Sequence, residues 1–271
     1  MKNILIPTDF SKNAYHAVVY ATQLYEGLPC TFHLLNTFEV NTPMLTGRID
    51  TSKGKKLYED LKEDPVESLA HLKTKITEAH GDRKHLFKTV SISKPLLPTI
   101  AKTITAENID LVVMGTKGAT GAKRFFMGSN TVKVIKGVRA CPVLAVPMGI
   151  TDHKNLKIGF STDMNHFLSQ KELRQLLEFS GMSRHRTYII HVLQNGQLSV
   201  LQLQNLKHLR NNLGKDQVSF HALFNPDNKT TTISYFIEKE AINLLVMLNT
   251  KNSFLKKLAR EPIVEKIGIR R

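Results

Sequence analysis

Two cysteines, Cys30 and Cys141, are too few for a disulfide framework, and they make no metal-ligand spacing. Both lie on or beside apolar runs, so buried, reduced thiols are expected, as in a cytoplasmic chain. Tryptophan is absent and aromatics make up only 7% of residues, with no RNA-recognition or zinc-finger pattern. No apolar run exceeds strand length, so nothing is expected to span a membrane. The start, Met1-Lys2-Asn3-Ile4-Leu5-Ile6-Pro7, passes straight into a strand pattern without a signal-peptide layout. There is no Walker lysine-serine pair and no acidic cluster suited to Mg²⁺. The eleven histidines are scattered without metal spacing. Of these, His16, His33, His71, His80, His85 and His191 fall in helix or strand patterns, where satisfied structural roles are expected. Acidic residues are also scarce: 23 Asp and Glu face 38 Lys and Arg, for a net charge of +15. The excess is spread over both halves, and its densest clusters, Lys53-Gly54-Lys55-Lys56 and Lys256-Lys257, are short. Solvated faces account for it, and no specific nucleic-acid partner is expected.

What the chain does have is a glycine-rich loop between a strand and a helix. Residues 115 to 129 read Gly-Thr-Lys-Gly-Ala-Thr-Gly-Ala-Lys-Arg-Phe-Phe-Met-Gly-Ser. The run before it, Ile109 to Met114, reads as a buried parallel strand. The run after it, Asn130 to Ile135, reads as the start of a helix. Backbone N–H groups in such a loop can point at phosphate, and the helix dipole favours negative charge there. Ser129 as an ordinary helix cap is the competing explanation.

At 271 residues two domains are expected, and the sequence repeats itself accordingly. Ile4-Leu5-Ile6-Pro7-Thr8-Asp9-Phe10 matches Ile158-Gly159-Phe160-Ser161-Thr162-Asp163-Met164, and Asp110-Leu111-Val112-Val113-Met114 matches Asn243-Leu244-Leu245-Val246-Met247. The first half carries extra residues between these landmarks, expected as a loop or lid over Glu39 to Lys56. The expected domains are 1–148 and 152–271.

In the first half, strands are predicted over Asn3–Pro7, Cys30–Phe38, His85–Ile92, Ile109–Gly115 and Val143–Pro147. Helices are predicted from an Asp9/Ser11 cap to Tyr25, over Lys56–His80 with Leu57, Leu61, Leu69, Leu72 and Ile76 on one face, from Pro95 and Pro98 to Glu107, and over Ser129–Val138. This alternation implies a parallel sheet with helices on both faces. Ligands in such sheets sit beyond the carboxyl ends of the strands. Thr8-Asp9 and the Gly115 loop both lie there.

The opening Ile4-Leu5-Ile6-Pro7-Thr8-Asp9-Phe10-Ser11, the spaced Gly115, Gly118, Gly128 and Ser129, and the close Cys141-Pro142-Val143-Leu144-Ala145-Val146-Pro147 resemble the universal stress protein family. The repeated opening makes the chain similar to its tandem, two-domain, ATP-binding-motif members. The resemblance implies an α/β fold of two tandem doubly wound parallel sheets of strand order 3-2-1-4-5, adenine nucleotide alpha hydrolase-like. It also implies an adenine nucleotide (ATP, or ADP or AMP, with Mg²⁺ possible beside ATP) in the first domain. On that basis Asp9 meets the adenine amino group, with Pro7 and Thr8 beside it. Thr37 contacts the base where the family usually has Val. Met114, Gly115 and Gly118 line the nucleotide, while Gly128, Ser129 and Asn130 hold its phosphates. Lys117, Lys123 and Arg124 are placed to neutralise phosphate charge.

The second domain departs from this pattern. It reads Met247-Leu248-Asn249-Thr250-Lys251-Asn252 where the first has its glycines, and no Gly-Ser precedes the predicted helix Ile263–Ile267. Thr162-Asp163 survive, but a nucleotide held in the same manner is not expected there. The chain stops at Arg271, where the repeat predicts a fifth strand, so the second domain is expected to lack that strand. In the family the fifth strand tends to mediate pairing, which the resemblance extends to a homodimer or a pseudo-dimer of the two domains; without that strand a sheet edge needs other cover. The expected function is a nucleotide-binding regulatory protein of the stress response with one competent site. Catalysis is not indicated beyond slow ATP hydrolysis. A nucleotidyl-transfer enzyme of the same fold and an interaction scaffold with vestigial sites are the alternatives.

Overall fold

The computed structural model describes residues 1–38, 51–116, 127–151, 153–193, 196–224 and 228–248, with the backbone alone over 51–63. The chain divides into two compact units, Met1–Gly149 and Ile150–Arg271.

In unit 1 the order is β1 (Lys2–Pro7), α1 (Lys12–Leu24), β2 (Cys30–Thr37), α2 (Thr51–His80), β3 (His85–Ile92), α3 (Leu96–Ala106), β4 (Leu111–Gly115), α4 (Ser129–Gly137) and β5 (Val143–Val146). The sheet is parallel with strand order β3-β2-β1-β4-β5. Strand β1 lies at its centre, which is why Ile4, Leu5 and Ile6 form an unbroken apolar run with no exposure on either face. Ser11 caps α1 by accepting from Ala14 N–H, and Ala14, Ala17, Val18 and Ala21 of that helix are buried. On the other face, Ile100 and Ile104 of α3 and Val134 of α4 pack against Leu5, Leu35, Val112 and Met114.

Unit 2 repeats the scheme with β6 (Ile158–Ser161), α5 (Gln170–Gly181), β7 (Thr187–Leu193), α6 (Val200–Leu213), β8 (Val218–Phe224), α7 (Lys229–Lys239) and β9 (Leu244–Met247). Its parallel sheet has four strands among the described residues, in the order β8-β7-β6-β9. Both units are doubly wound α/β.

The duplication extends to backbone strain and hydrogen bonds. Among the described residues four non-glycine residues have positive φ, and they form two equivalent pairs: Phe10 (60°) with Met164 (58°), and Asn108 (48°) with Ala241 (51°). In unit 1 the Asn3 N–H donates to Asp110 Oδ2 at 2.9 Å. In unit 2 the Lys157 N–H donates to Asn243 Oδ1 at 2.7 Å. Each clasp joins the start of the unit's first strand to the residue preceding its fourth.

That clasp also corrects one boundary. Strand β4 begins at Leu111 rather than Ile109, because the left-handed Asn108 and the Asp110 clasp make a turn of the residues before it. A second correction concerns the extra chain of the first half. Helix α2 begins at Thr51, so Thr51 to Lys56 are helical rather than part of a loop. Residues 39–50 lie outside the described residues. Helix α2 spans 30 residues against 14 for α6, so much of the insertion is helix. Leu69, Leu72 and Ile76 are buried as a face of α2, while the side chains of Leu57 and Leu61 fall outside the described set. Cys30 is buried as expected, but Cys141 is only half-buried.

Asp82 fastens the entry to β3. Its carboxylate accepts from the Gly27 N–H at 2.7 Å and the Lys84 N–H at 3.0 Å. These two bonds hold its pKa below the ordinary value of 3.8, with the Lys84 N–H the larger cause. A depressed folded pKa stabilises the fold above the unfolded value and loses that contribution as pH falls through the folded one. Asp82→Asn is therefore expected to lower the thermal midpoint at pH 7. The gap to the parent protein should narrow as pH falls below 3.8, and a circular-dichroism melt series across pH checks this.

Candidate functional site

At the carboxyl end of β1 the chain turns sharply. The Thr8 N–H donates to Leu35 O at 2.8 Å, and the Asn36 Nδ2 amide donates to Thr8 O at 2.9 Å. Thr8 Oγ1 accepts from the Phe10 N–H and Asp9 Oδ1 from the Ser11 N–H, both at 3.1 Å. These two side-chain turns fix Asp9 at the surface, one turn ahead of α1. The N-cap of α1 is Ser11, not Asp9, so Asp9 is not consumed in capping the helix. A carboxylate has about four lone-pair sites, so it can accept a ligand N–H beside the bond from Ser11.

The carboxyl end of β4 is locked just as closely. The Thr116 N–H donates to Val146 O at 3.1 Å, and the Gly128 N–H donates to Thr116 O at 2.6 Å. The Thr131 hydroxyl donates to Gly115 O at 2.8 Å in a buried bond. The loop therefore returns beside its starting point, and α4 is tethered to the end of β4. Residues 117–126 lie outside the described residues, so Lys117, Gly118, Lys123 and Arg124 cannot be placed.

The cap of α4, like that of α3, differs from the other described caps. Ser11, Ser169, Ser199 and Asn228 cap α1, α5, α6 and α7, each accepting a first-turn N–H with a side-chain oxygen. Gly128 caps α4 and has no side-chain acceptor. Ser129 is thus the first helical residue rather than the cap, and the first-turn N–H groups of Ser129 and Asn130 meet no cap oxygen. A helix start of this kind suits an anion.

Asn13 brings the two ends together, and sequence reasoning missed it. A Cβ added at Gly115 would lie 2.7 Å from Asn13 Oδ1 and 2.8 Å from Asn13 O. The first turn of α1 therefore presses directly on the end of β4, so glycine is required there by packing before any ligand arrives. Asn13 is buried, and its Nδ2 donates to Val146 O at 3.4 Å. The available signal was a polar residue in the first turn of an otherwise apolar helix face. Thr131 was missed as well, although it follows Asn130 directly.

The remaining candidates separate clearly. Pro7 is buried and pairs with Leu35 across the β1–β2 ladder. Thr37 is half-buried at the end of β2, opposite Ile92. Met114 is buried with Leu5 and Leu35, so its side chain belongs to the core and any ligand contact falls to its backbone. Among the described residues, no group of three or more His, Cys, Asp or Glu side chains is placed to hold a metal ion.

Unit 2 preserves one half of this arrangement. Thr162 Oγ1 accepts from the Met164 N–H and Asp163 Oδ1 from the Asn165 N–H, both at 3.0 Å. His191 Nδ1 approaches Thr162 O at 2.9 Å, where unit 1 uses Asn36. The other half differs. Leu248 stands where unit 1 has Gly115, and its side chain packs against the cluster containing Phe160 and Met164.

The geometry defines a doubly wound α/β protein whose first unit has, at the carboxyl end of its sheet, a helix start without a side-chain cap and an exposed aspartate. A profile of the universal stress protein family matches residues 1–147. A universal stress protein of Methanocaldococcus jannaschii is 30% identical over 145 residues, covering 54% of this chain and 81% of its own length. A solved universal stress protein from Archaeoglobus fulgidus shares the fold at a TM-score of 0.65 and 17% identity, covering 98% of this chain and 91% of that one. Another solved universal stress protein, in complex with cAMP, is 14% identical at a TM-score of 0.37, covering 54% of this chain and 96% of its own. The chain belongs to the universal stress protein family.

Proposed function

We propose that this chain is an adenine-nucleotide-binding regulatory protein of the stress response, with one competent site, in unit 1. The observation that carries the reading is the start of α4. It is capped by a glycine without an acceptor, tethered beside the end of β4, and joined through Asn13 to the turn that displays Asp9. Asp9 accepts from the adenine amino group, and Thr37 lies along the base. Gly128, Ser129 and Asn130 present N–H groups, and Ser129 its hydroxyl, to the phosphates. Gly118, Lys117, Lys123 and Arg124 complete the loop. Where ATP carries Mg²⁺, the nucleotide itself would hold the ion, since no metal-holding group of His, Cys, Asp or Glu side chains stands among the described residues. Leu248 occupies the equivalent place in unit 2 and leaves that unit as a degenerate copy. ATP held in such a site is a signal, or is hydrolysed slowly.

Isothermal titration of the full chain with ATP tests this. One nucleotide per chain is expected, and Asp9→Ala should weaken it about tenfold through loss of a hydrogen bond to a charged acceptor. Mass spectrometry of ligand released from freshly purified protein then separates ATP, ADP and AMP. Two sites per chain would refute the assignment of unit 2 as degenerate. No binding at millimolar nucleotide would refute the site itself.

A further inference from the structure

Unit 1 has a second concavity, and none of the residues assigned to the nucleotide lines it. A cavity of about 370 Å³ lies between α3 and the β2–β3 side of the sheet, within the size range of small-ligand pockets. Its walls include Leu35, Val90, Ile92, Pro95, Pro98 and Ala106. The sheet is open to solvent beside it: Leu86 and Val90 of β3 are 54% and 45% exposed. Large apolar side chains displayed together on an edge strand mark a surface that something covers.

The rim carries an excess of positive charge. Lys88, Lys94 and Lys102 line the cavity against a single carboxylate, Glu107. Lys88 Nζ donates to Glu107 Oε2 at 3.0 Å, and this bond is the main cause holding the Glu107 pKa below its ordinary value. Lys94 and Lys102 are exposed, and their ammonium groups make no hydrogen bond or ion pair among the described residues. The Thr99 and Thr103 hydroxyls donate to Pro95 O and Thr99 O of their own helix, so neither demands a polar ligand. Pro98 removes a first-turn N–H from α3, and Pro95 caps that helix without a side-chain bond. This end of the cavity is therefore no phosphate cradle.

The wall holds one unmet polar atom. The His33 side chain is 4% exposed, with Nδ1 3.7 Å from Glu107 Oε2, and its Nε2 has no hydrogen-bond partner. This departs from the satisfied role expected of it. Burial lowers the His33 pKa below 6.5, with Glu107 opposing and Lys88 assisting more weakly. A buried polar atom without a partner is a cost to the fold, and here it lies behind the cavity wall.

We propose that this cavity binds a small apolar monocarboxylate, with its hydrocarbon body on Leu35, Val90, Ile92 and Pro98 and its carboxylate between Lys94 and Lys102. The ligand class follows from the lining. Apolar walls select the body, and the ammonium groups of Lys94 and Lys102, unpaired among the described residues, select a single anionic head. The site is independent of the nucleotide.

Decanoate serves as the probe on the full chain, titrated below its micelle concentration. The expected dissociation constant is on the order of 10–100 μM for a ligand of that size. Amide shifts in nitrogen-15 correlation spectra should concentrate at Val90, Ile92, Lys94 and Lys102. Decylamine should bind about tenfold more weakly or worse, and Lys94→Glu combined with Lys102→Glu should weaken decanoate about tenfold. Both lysines are exposed, so the double variant is expected to fold, and its melting curve verifies that. Equal affinity for decylamine, an unchanged affinity in the double variant, shifts centred elsewhere, or no saturable binding would each overturn the proposal.

Discussion

Replacing Gly115 by valine is expected to destabilise unit 1 by about 2–4 kcal/mol and to abolish nucleotide binding. The atoms that a Cβ meets decide this. Asn13 Oδ1 at 2.7 Å belongs to a side chain, which could rotate away at the expense of its bond to Val146 O. Asn13 O at 2.8 Å belongs to the backbone of α1 and cannot. The first turn of α1 must shift, and it is joined through Ser11 to the turn that displays Asp9. One substitution on β4 thereby disturbs the base end of the proposed site as well as the phosphate end. Gly115→Ala adds the same Cβ without the two methyls and should lie between the parent and the valine variant. Urea denaturation followed by circular dichroism gives the stability, and calorimetry with ATP gives the binding. A valine variant of parental stability would mean that α1 does not press on β4 as described.

This explanation differs from the one the sequence suggested, and the difference shows what a sequence conveys. Gly115, read alone, was a place for a ligand to approach the backbone. Its tightest neighbour is Asn13, on an element far away in the chain, and no local spacing encodes that contact. Strand runs were legible because burial on both faces leaves an apolar signature, as in Ile4-Leu5-Ile6 and Val112-Val113-Met114. The repeat was legible because both units need the same turn after their first strand, down to positive φ at Phe10 and Met164. The start of α2 was not, because Gly54 reads as a loop residue while the helix that contains it begins at Thr51. The competing explanation of Ser129 as an ordinary cap fails for a similar reason. Ser129 is a favoured cap residue by type, yet Gly128 takes that place, with its N–H bonded to Thr116 O. Local preference was overruled by the closure of the loop.

The asymmetry of the two units has the same physical basis. Unit 1 keeps glycine at the end of its fourth strand, where the first turn of α1 presses, and ties the next helix back through Thr131. Unit 2 places Leu248 there, packed against the cluster of Phe160 and Met164. Its Thr-Asp turn is held by His191 and by Gln202, whose Nε2 donates to Asp163 O at 3.0 Å.

Thr131→Val is the sharper probe of the tether, because it keeps the shape and removes only the donor. Thr131 is 3% exposed, and its hydroxyl reaches Gly115 O at 2.8 Å. Without that hydroxyl the buried carbonyl loses a partner, and the expected loss of stability is about 1–3 kcal/mol. The bond also sets where α4 begins relative to the end of β4. Once it is gone, the N–H groups of Ser129 and Asn130 should lose their alignment, and affinity for ATP should fall about tenfold. Thr131→Ser retains the donor and should stay close to the parent in affinity, losing only a methyl's packing. Stability and binding then separate two roles. If valine lowers stability and leaves ATP affinity unchanged, Thr131 supports the fold alone. If both fall and serine restores affinity, the hydroxyl orients the helix start that meets the phosphates.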